Sequence, residues 1–190
     1  VGMMVDVSHV SKECMMQATV LSTSPVIGSH SSTTALANVP RNMDDEMLRA
    51  IKANNGVVQI VAFSTYVKVQ PPARDTALRK LNEEFFGPQP QRGAGGGGGA
   101  GAAGGRGGAG GRGGGGRGNQ RASLPPDKLA EYDRRMGEIE ARWPSPNVQD
   151  FVNHIDHAVK VAGIDHVGIS SDFDGGGGIT GWRDASETFN

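Results

Sequence analysis

The chain has 190 residues, a formal net charge of −1 and a single cysteine, Cys14. This length allows one domain with its own core. The near-neutral charge offers no global attraction to nucleic acid or to an anionic membrane, and one cysteine excludes an intrachain disulfide.

Residues 2–9 are mostly apolar without alternation and read as a buried parallel strand ending in His9. Ser11 is placed to cap a helix running to about Ser22, with Glu13 at its positive end. Cys14, inside that helix, reads as a small buried hydrophobe. Residues 25–30 form a second strand with His30 at its carboxyl end. Asp44 caps a helix carrying Met47, Leu48 and Ile51 on one face, and Asn54-Asn55-Gly56 ends it in a left-handed cap. Residues 57–63 are a third buried strand, and 73–86 a helix with Leu78, Leu81 and Phe85 inward.

Residues 93–118 contain only Gly, Ala and Arg and hold more than half of the chain's 30 glycines, so no core can form there. Residues 87–126 are therefore expected to be a disordered insertion between two foldable parts, 1–86 and 127–190. A helix resumes over 127–143 with Leu129, Tyr132, Met136 and Ile139 in one stripe. Asn147 caps the next, with Phe151, Val152, Ile155 and Val159 buried and Gly163 at its end. Residues 166–170 are a fourth strand that delivers Asp172 at its tip.

The order β-α-β-α-β-(αα)-β favours a parallel α/β fold with right-handed crossovers. Two histidines and an acidic cluster at successive strand ends are where a (β/α)8 barrel places metal ligands and catalytic carboxylates, and four strands are half of such a barrel. The chain also opens in what reads as mid-strand. The sequence contains no signal-peptide pattern and no apolar run of bilayer-spanning length, which leaves localisation open.

Several separated motifs, in order, resemble the membrane dipeptidase family (renal dipeptidase, peptidase M19) of the metal-dependent amidohydrolases. They are Val5-Asp6-Val7-Ser8-His9-Val10-Ser11, Pro25-Val26-Ile27-Gly28-Ser29-His30-Ser31-Ser32, Pro40-Arg41-Asn42, His154-Ile155-Asp156-His157, Gly168-Ile169-Ser170-Ser171-Asp172-Phe173-Asp174-Gly175 and Trp182-Arg183-Asp184-Ala185-Ser186. The resemblance implies a partial TIM (β/α)8 barrel holding the fifth to eighth strands. It also implies two Zn2+ per complete active site and hydrolysis of dipeptides through a metal-bridging hydroxide.

By motif position His9 and His30 are metal ligands, Asp172 is the catalytic proton carrier and Arg41 grips the substrate's terminal carboxylate. A lone histidine is ordinarily a hydrogen-bonded structural residue, but two in register with an acidic strand end favour ligation. For Asp172 the plainer alternative is a turn former, which suits Asp174 better. For Arg41 the alternative is a solvated surface residue, set against a planar fork that matches a carboxylate. His154, His157 and His166 read as structural.

The family's first-strand His-x-Asp and its bridging glutamate have no counterpart in this sequence, so the chain is expected to be inactive alone. Family resemblance further suggests a homodimer when complete, exported or membrane-attached. The rival readings are another amidohydrolase, acting on lactones or cyclic amides, and a non-catalytic RNA-associated protein bearing the Arg/Gly tract as an RGG segment. With few arginines and no aromatic residues in that tract, no specific nucleic-acid partner is expected.

Overall fold

A computed structural model describes residues 2–88 and 121–188. Its elements in chain order are α1 (Lys12–Leu21), β1 (Ile27–Ser31), α2 (Asp45–Ala53), β2 (Val57–Val61), α3 (Ser64–Val67), α4 (Pro72–Phe86), α5 (Pro126–Arg142), α6 (Val148–Ala162) and β3 (Val167–Ser170). The three strands make one parallel sheet in the order β1-β2-β3, a mixed α/β arrangement. Ile27 and Gly28 pair with Val57 and Val58, and Val58 through Val61 pair with Val167 through Ser170. The Gly/Ala/Arg tract, and with it the disorder and RNA readings attached to it, lies outside the described residues.

Local chemistry explains the helix ends. The Ser11 side chain accepts from the Cys14 N–H, Asp44 from Met47, and Asn147 from Asp150, whose carboxylate in turn accepts from the Asn147 N–H. Asn55, at φ 58°, closes α2 in a left-handed turn: its N–H donates to the Lys52 carbonyl and the Gly56 N–H to Ile51. Gly56 is demanded by space, since a Cβ there would lie 2.5 Å from the Val26 carbonyl oxygen. Asn54 then ties three segments together, accepting from the Val26 N–H and donating to the carbonyls of Thr19 and Ser22.

The core lies between the sheet and helices α1, α2 and α6. It is built from Met15, Val26, Met43, Leu48, Ile51, Val58, Ile60, Phe151, Ala158 and Ala162 among others. Helix α4 packs separately against α5, with Leu81 and Tyr132 buried at their contact.

Four expectations are corrected. Residues 2–9 do not form a strand; they contribute one parallel bridge, Asp6 to Ile27, flanked by hydrogen bonds from Val7 to Ile27 and from Ile27 to Val5. Met3, Met4 and Val5 are exposed, and of the apolar residues in this stretch Val7 is the one that enters the core. Cys14 is exposed because Met15 and Thr19, one turn apart, take the inward face of α1. The buried stripe of α6 is Phe151, His154, Ala158 and Ala162, with Val152, Ile155 and Val159 only half-buried. Small residues at 158 and 162 let the helix axis approach the sheet, which the bulkier positions would prevent. His166 falls in a 3-10 turn before β3 rather than in the strand.

His154 explains how a polar residue can sit on that inward stripe. Its Nδ1 accepts from the Thr33 N–H (3.1 Å), so Nε2 carries the hydrogen and donates to the Val67 carbonyl (2.9 Å). The neutral ring is thus satisfied at both ends, and burial pushes its pKa below the ordinary histidine value of 6.5. His157 pairs with Asp45, and His166 with the Gly56 carbonyl, so all three are structural contacts, as expected.

A histidine with a depressed folded-state pKa contributes stability that is complete above the unfolded value and is lost as pH falls below it. Equilibrium unfolding should therefore show stability declining as pH drops below about 6.5. His154→Gln should flatten that slope, and an unchanged slope would contradict the role assigned to the ring.

Candidate metal and substrate site

His9 follows the bridged segment and His30 lies within β1 near its carboxyl end. Their Nε2 atoms are 2.7 Å apart and the ring centroids 4.7 Å apart. His9 takes a left-handed backbone conformation, φ 67°, which turns the chain at this point. Burial, Arg41 and His30 all push its imidazole below the ordinary value, against the opposing pull of Asp172 and Asp6. A neutral ring is the form that offers a lone pair to a metal.

On a tetrahedral zinc with bonds of about 2.0–2.1 Å two imidazole nitrogens lie about 3.4 Å apart, so this pair, now at hydrogen-bond distance, would have to open slightly to share one cation. The donor chemistry fits, but the pair is only part of a site. Among the described residues no group of three or more His, Cys, Asp or Glu side chains gathers in a way that could hold a metal ion.

Sequence reasoning assigns no role to Asp6. Its Oδ1 accepts from the backbone N–H of Ser8 (2.9 Å) and of Ser29 (3.1 Å), and its Oδ2 from the Ser29 hydroxyl. Burial pushes the carboxyl up, but these hydrogen bonds outweigh it and hold the group below its ordinary value. Ser29 Oγ also lies 2.7 Å from His30 Nδ1, and the His30 N–H donates to Ser8 Oγ. Only the three-dimensional pairing of residues 6 and 27 brings these groups together.

Arg41 is half-buried. Its Nε donates to the Tyr66 hydroxyl (3.2 Å) and its guanidinium lies 5.5 Å from the Tyr66 ring centre. Its Nη2 is the one fully buried side-chain donor without a partner among the described residues. His9 and Arg41 line the same cavity of about 170 Å³, together with Val7, Ser31, Thr34 and Asn42.

The loop that carries Arg41 is held by Asn42, which is buried. Asn42 accepts from the Ser32 N–H and donates to the carbonyls of Ala37 and Tyr66, both at 2.8 Å. Sequence reasoning missed Asn42 and Tyr66 alike; the Pro-Arg-Asn triplet was the available signal for the first.

Asp172 lies just beyond β3, at φ 53°. Its main-chain carbonyl accepts from the N–H groups of Gly175 and Gly177, so the turn-forming role ascribed to Asp174 belongs in part to Asp172 itself. A Cβ at Gly175 would come within 2.3 Å of Asp172 Oδ1, so any larger residue there would displace the Asp172 carboxylate. The carboxylate is near enough to His9 to raise its proton affinity.

This chain belongs to the membrane dipeptidase family, peptidase family M19, whose model matches residues 1–190. It is 28% identical over 174 residues to an uncharacterized dipeptidase of Schizosaccharomyces pombe, covering 92% of this chain and 25% of that protein. It is 38% identical over 81 residues to the dipeptidase verJ of Clonostachys rogersoniana, covering 43% of this chain and 20% of the relative. Among solved structures it resembles the probable dipeptidase PvdM from Pseudomonas aeruginosa, with a TM-score of 0.62 and 30% identity, over 98% of this chain and 42% of that one. A dipeptidase assigned to family M19 shares the fold at a TM-score of 0.53 and 18% identity, over 96% of this chain and 32% of that one. The chain thus spans about a quarter of the length of the S. pombe relative and under half of the PvdM chain. No helix among the described residues is long and apolar enough to cross a membrane.

Removing the Asn42 side chain should leave buried backbone groups of three segments unpaired. Asn42→Ala is expected to cost about 1–3 kcal/mol in urea unfolding. Asn42→Asp should not restore the loss, because the donor to Ala37 and Tyr66 would still be missing.

Proposed function

We propose that the protein to which this chain belongs hydrolyses dipeptides at a zinc-dependent site on the carboxyl-terminal face of a (β/α)8 barrel. In this reading the chain supplies the fifth to eighth strand units, with 1–86 and 127–190 as barrel parts on either side of the 87–126 insertion. The observation that carries it is the convergence of His9 and His30, whose Nε2 atoms lie 2.7 Å apart. Family membership and the parallel strand order support it.

His9 and His30 would hold one metal ion. A bound zinc polarises a carbonyl and lowers the pKa of water to about 7. Two imidazoles fall short of the three or four protein ligands of a zinc site, so this chain by itself is expected neither to hold zinc tightly nor to turn over substrate.

Arg41 binds and orients. Its Nη2 is a buried donor with no partner, and a dipeptide's terminal carboxylate would satisfy it while Tyr66 steadies the other edge of the guanidinium. The cavity lined by Arg41 and His9 would then seat the backbone of a short substrate, with Val7 and Ser31 on its wall. Asp172 handles the proton, taking it from the attacking water and returning it to the leaving amine.

Asp172→Asn should lower kcat by about 10²–10⁴-fold with zinc content unchanged; an unaltered kcat would sink the role given to Asp172. Arg41→Ala should raise KM for free-carboxylate dipeptides and leave a carboxyl-amidated analogue nearly unaffected. Equal effects on both would favour a hydrolase of neutral rings instead.

A further inference from the structure

An imidazole offers a lone pair from one nitrogen while the other carries its hydrogen, so a ligating histidine needs a partner that selects between its two tautomers. Around His30 the hydrogen-bond directions settle that choice. Asp6, a carboxylate at neutral pH, can only accept. Its Oδ1 is occupied by the Ser8 and Ser29 N–H groups, and its Oδ2 faces the Ser29 hydroxyl. The single hydrogen of that hydroxyl therefore goes to Asp6, which leaves Ser29 Oγ as an acceptor towards His30 Nδ1, 2.7 Å away. The His30 hydrogen must then sit on Nδ1, and Nε2 presents a free lone pair.

We propose that Asp6 and Ser29 form a polarised relay that keeps the His30 hydrogen on Nδ1 and so presets Nε2 as a metal ligand; this rests on the ligand reading of His30 given above. Asp6 and Ser29 are positioning residues, neither of them touching metal or substrate. The pair of histidines is asymmetric as a result. Without metal, the 2.7 Å contact between the Nε2 atoms is satisfied by a hydrogen on His9 Nε2. On metal binding His9 must carry its hydrogen on Nδ1 instead, whereas His30 keeps the tautomer it already has.

The direction of the relay can be reversed by one substitution. In Asp6→Asn the two backbone N–H groups still require an oxygen at the Oδ1 position, which forces the amide nitrogen to face Ser29. That nitrogen donates to Ser29 Oγ, the hydroxyl turns to donate to His30 Nδ1, and the His30 hydrogen is displaced to Nε2, where it blocks ligation. A merely structural role for Asp6 predicts no such switch.

The test uses the complete protein to which this chain belongs: tautomers are read in the metal-free, 15N-labelled form by long-range nitrogen–proton correlation, and Zn2+ affinity is then measured against a competing chelator. Circular dichroism checks that each variant is folded. His30 is expected to carry its hydrogen on Nδ1 in the unaltered protein and in Ser29→Thr, on Nε2 in Asp6→Asn, and to be a mixture of the two neutral tautomers in Ser29→Ala. Zn2+ affinity should fall about 10- to 100-fold in Asp6→Asn and Ser29→Ala and recover in Ser29→Thr. A hydrogen on Nε2 in the unaltered protein would overturn the relay, as would an unchanged tautomer or unchanged affinity in Asp6→Asn. Zn2+ that perturbs neither His9 nor His30 would instead overturn the ligand reading and the positioning role with it. The two failures are distinguishable because the tautomer is read before metal is added.

Discussion

Parallel pairing governs this structure. Two parallel strands cannot be joined by a tight hairpin; each return must cross over outside the sheet, so all the strands end on the same side. The pairing of β1 with β2 and of β2 with β3 therefore brings His30, the turn after Val61 and Asp172 to one side, although they are far apart in sequence. The return legs must also fit closely. Ala158 and Ala162 admit α6 to the sheet, and Gly56 admits the start of β2 to within contact of Val26.

Beyond the sheet, the loops are held by polar side chains whose partners are distant backbone groups. Asn54 joins the end of α1 to the ends of α2 and the β1 approach, Asn42 gathers the loop after β1, and His154 reaches from α6 to Thr33 and Val67. Each side chain answers backbone groups that would otherwise be unsatisfied where regular structure stops. Because losing one partner exposes the full desolvation cost of the others, such residues restrain loop geometry more firmly than apolar contacts of the same size.

Most of the element order was legible in the sequence because caps and periodicity are local: Ser11, Asp44 and Asn147 each begin a helix as their chemistry dictates, and Asn55 ends one. What escaped is what depends on partners. Residues 2–9 have strand composition, yet pair along one side only and through one bridge. In α6 the periodicity identified an apolar face but not its centre, because His154 with both nitrogens bonded counts as interior while its apolar neighbour Ile155 lies at the margin. The site divides in the same way. His9 and His30 stand out by residue type and position, whereas Asp6 and Ser29 acquire meaning only from a contact across 23 residues.

The chain after Asp172 is stitched back onto the fold by main-chain bonds, from Gly178 to the Ala62 carbonyl and from Thr180 to Pro146, with the Ser64 hydroxyl donating to the Gly178 carbonyl. Trp182 closes this stretch, its ring 5.3 Å from Phe173 and 5.7 Å from Phe151. The other tryptophan, Trp143, sits at the end of α5 with the Arg142 guanidinium 4.5 Å from its ring centre. One indole thus adjoins the turn that bears the candidate proton carrier, and the other stands on a different element beside a fixed positive charge. This chain carries a pair of intrinsic optical probes, and with Trp143 replaced the emission of Trp182 would report the order of the Asp172 loop without any added label.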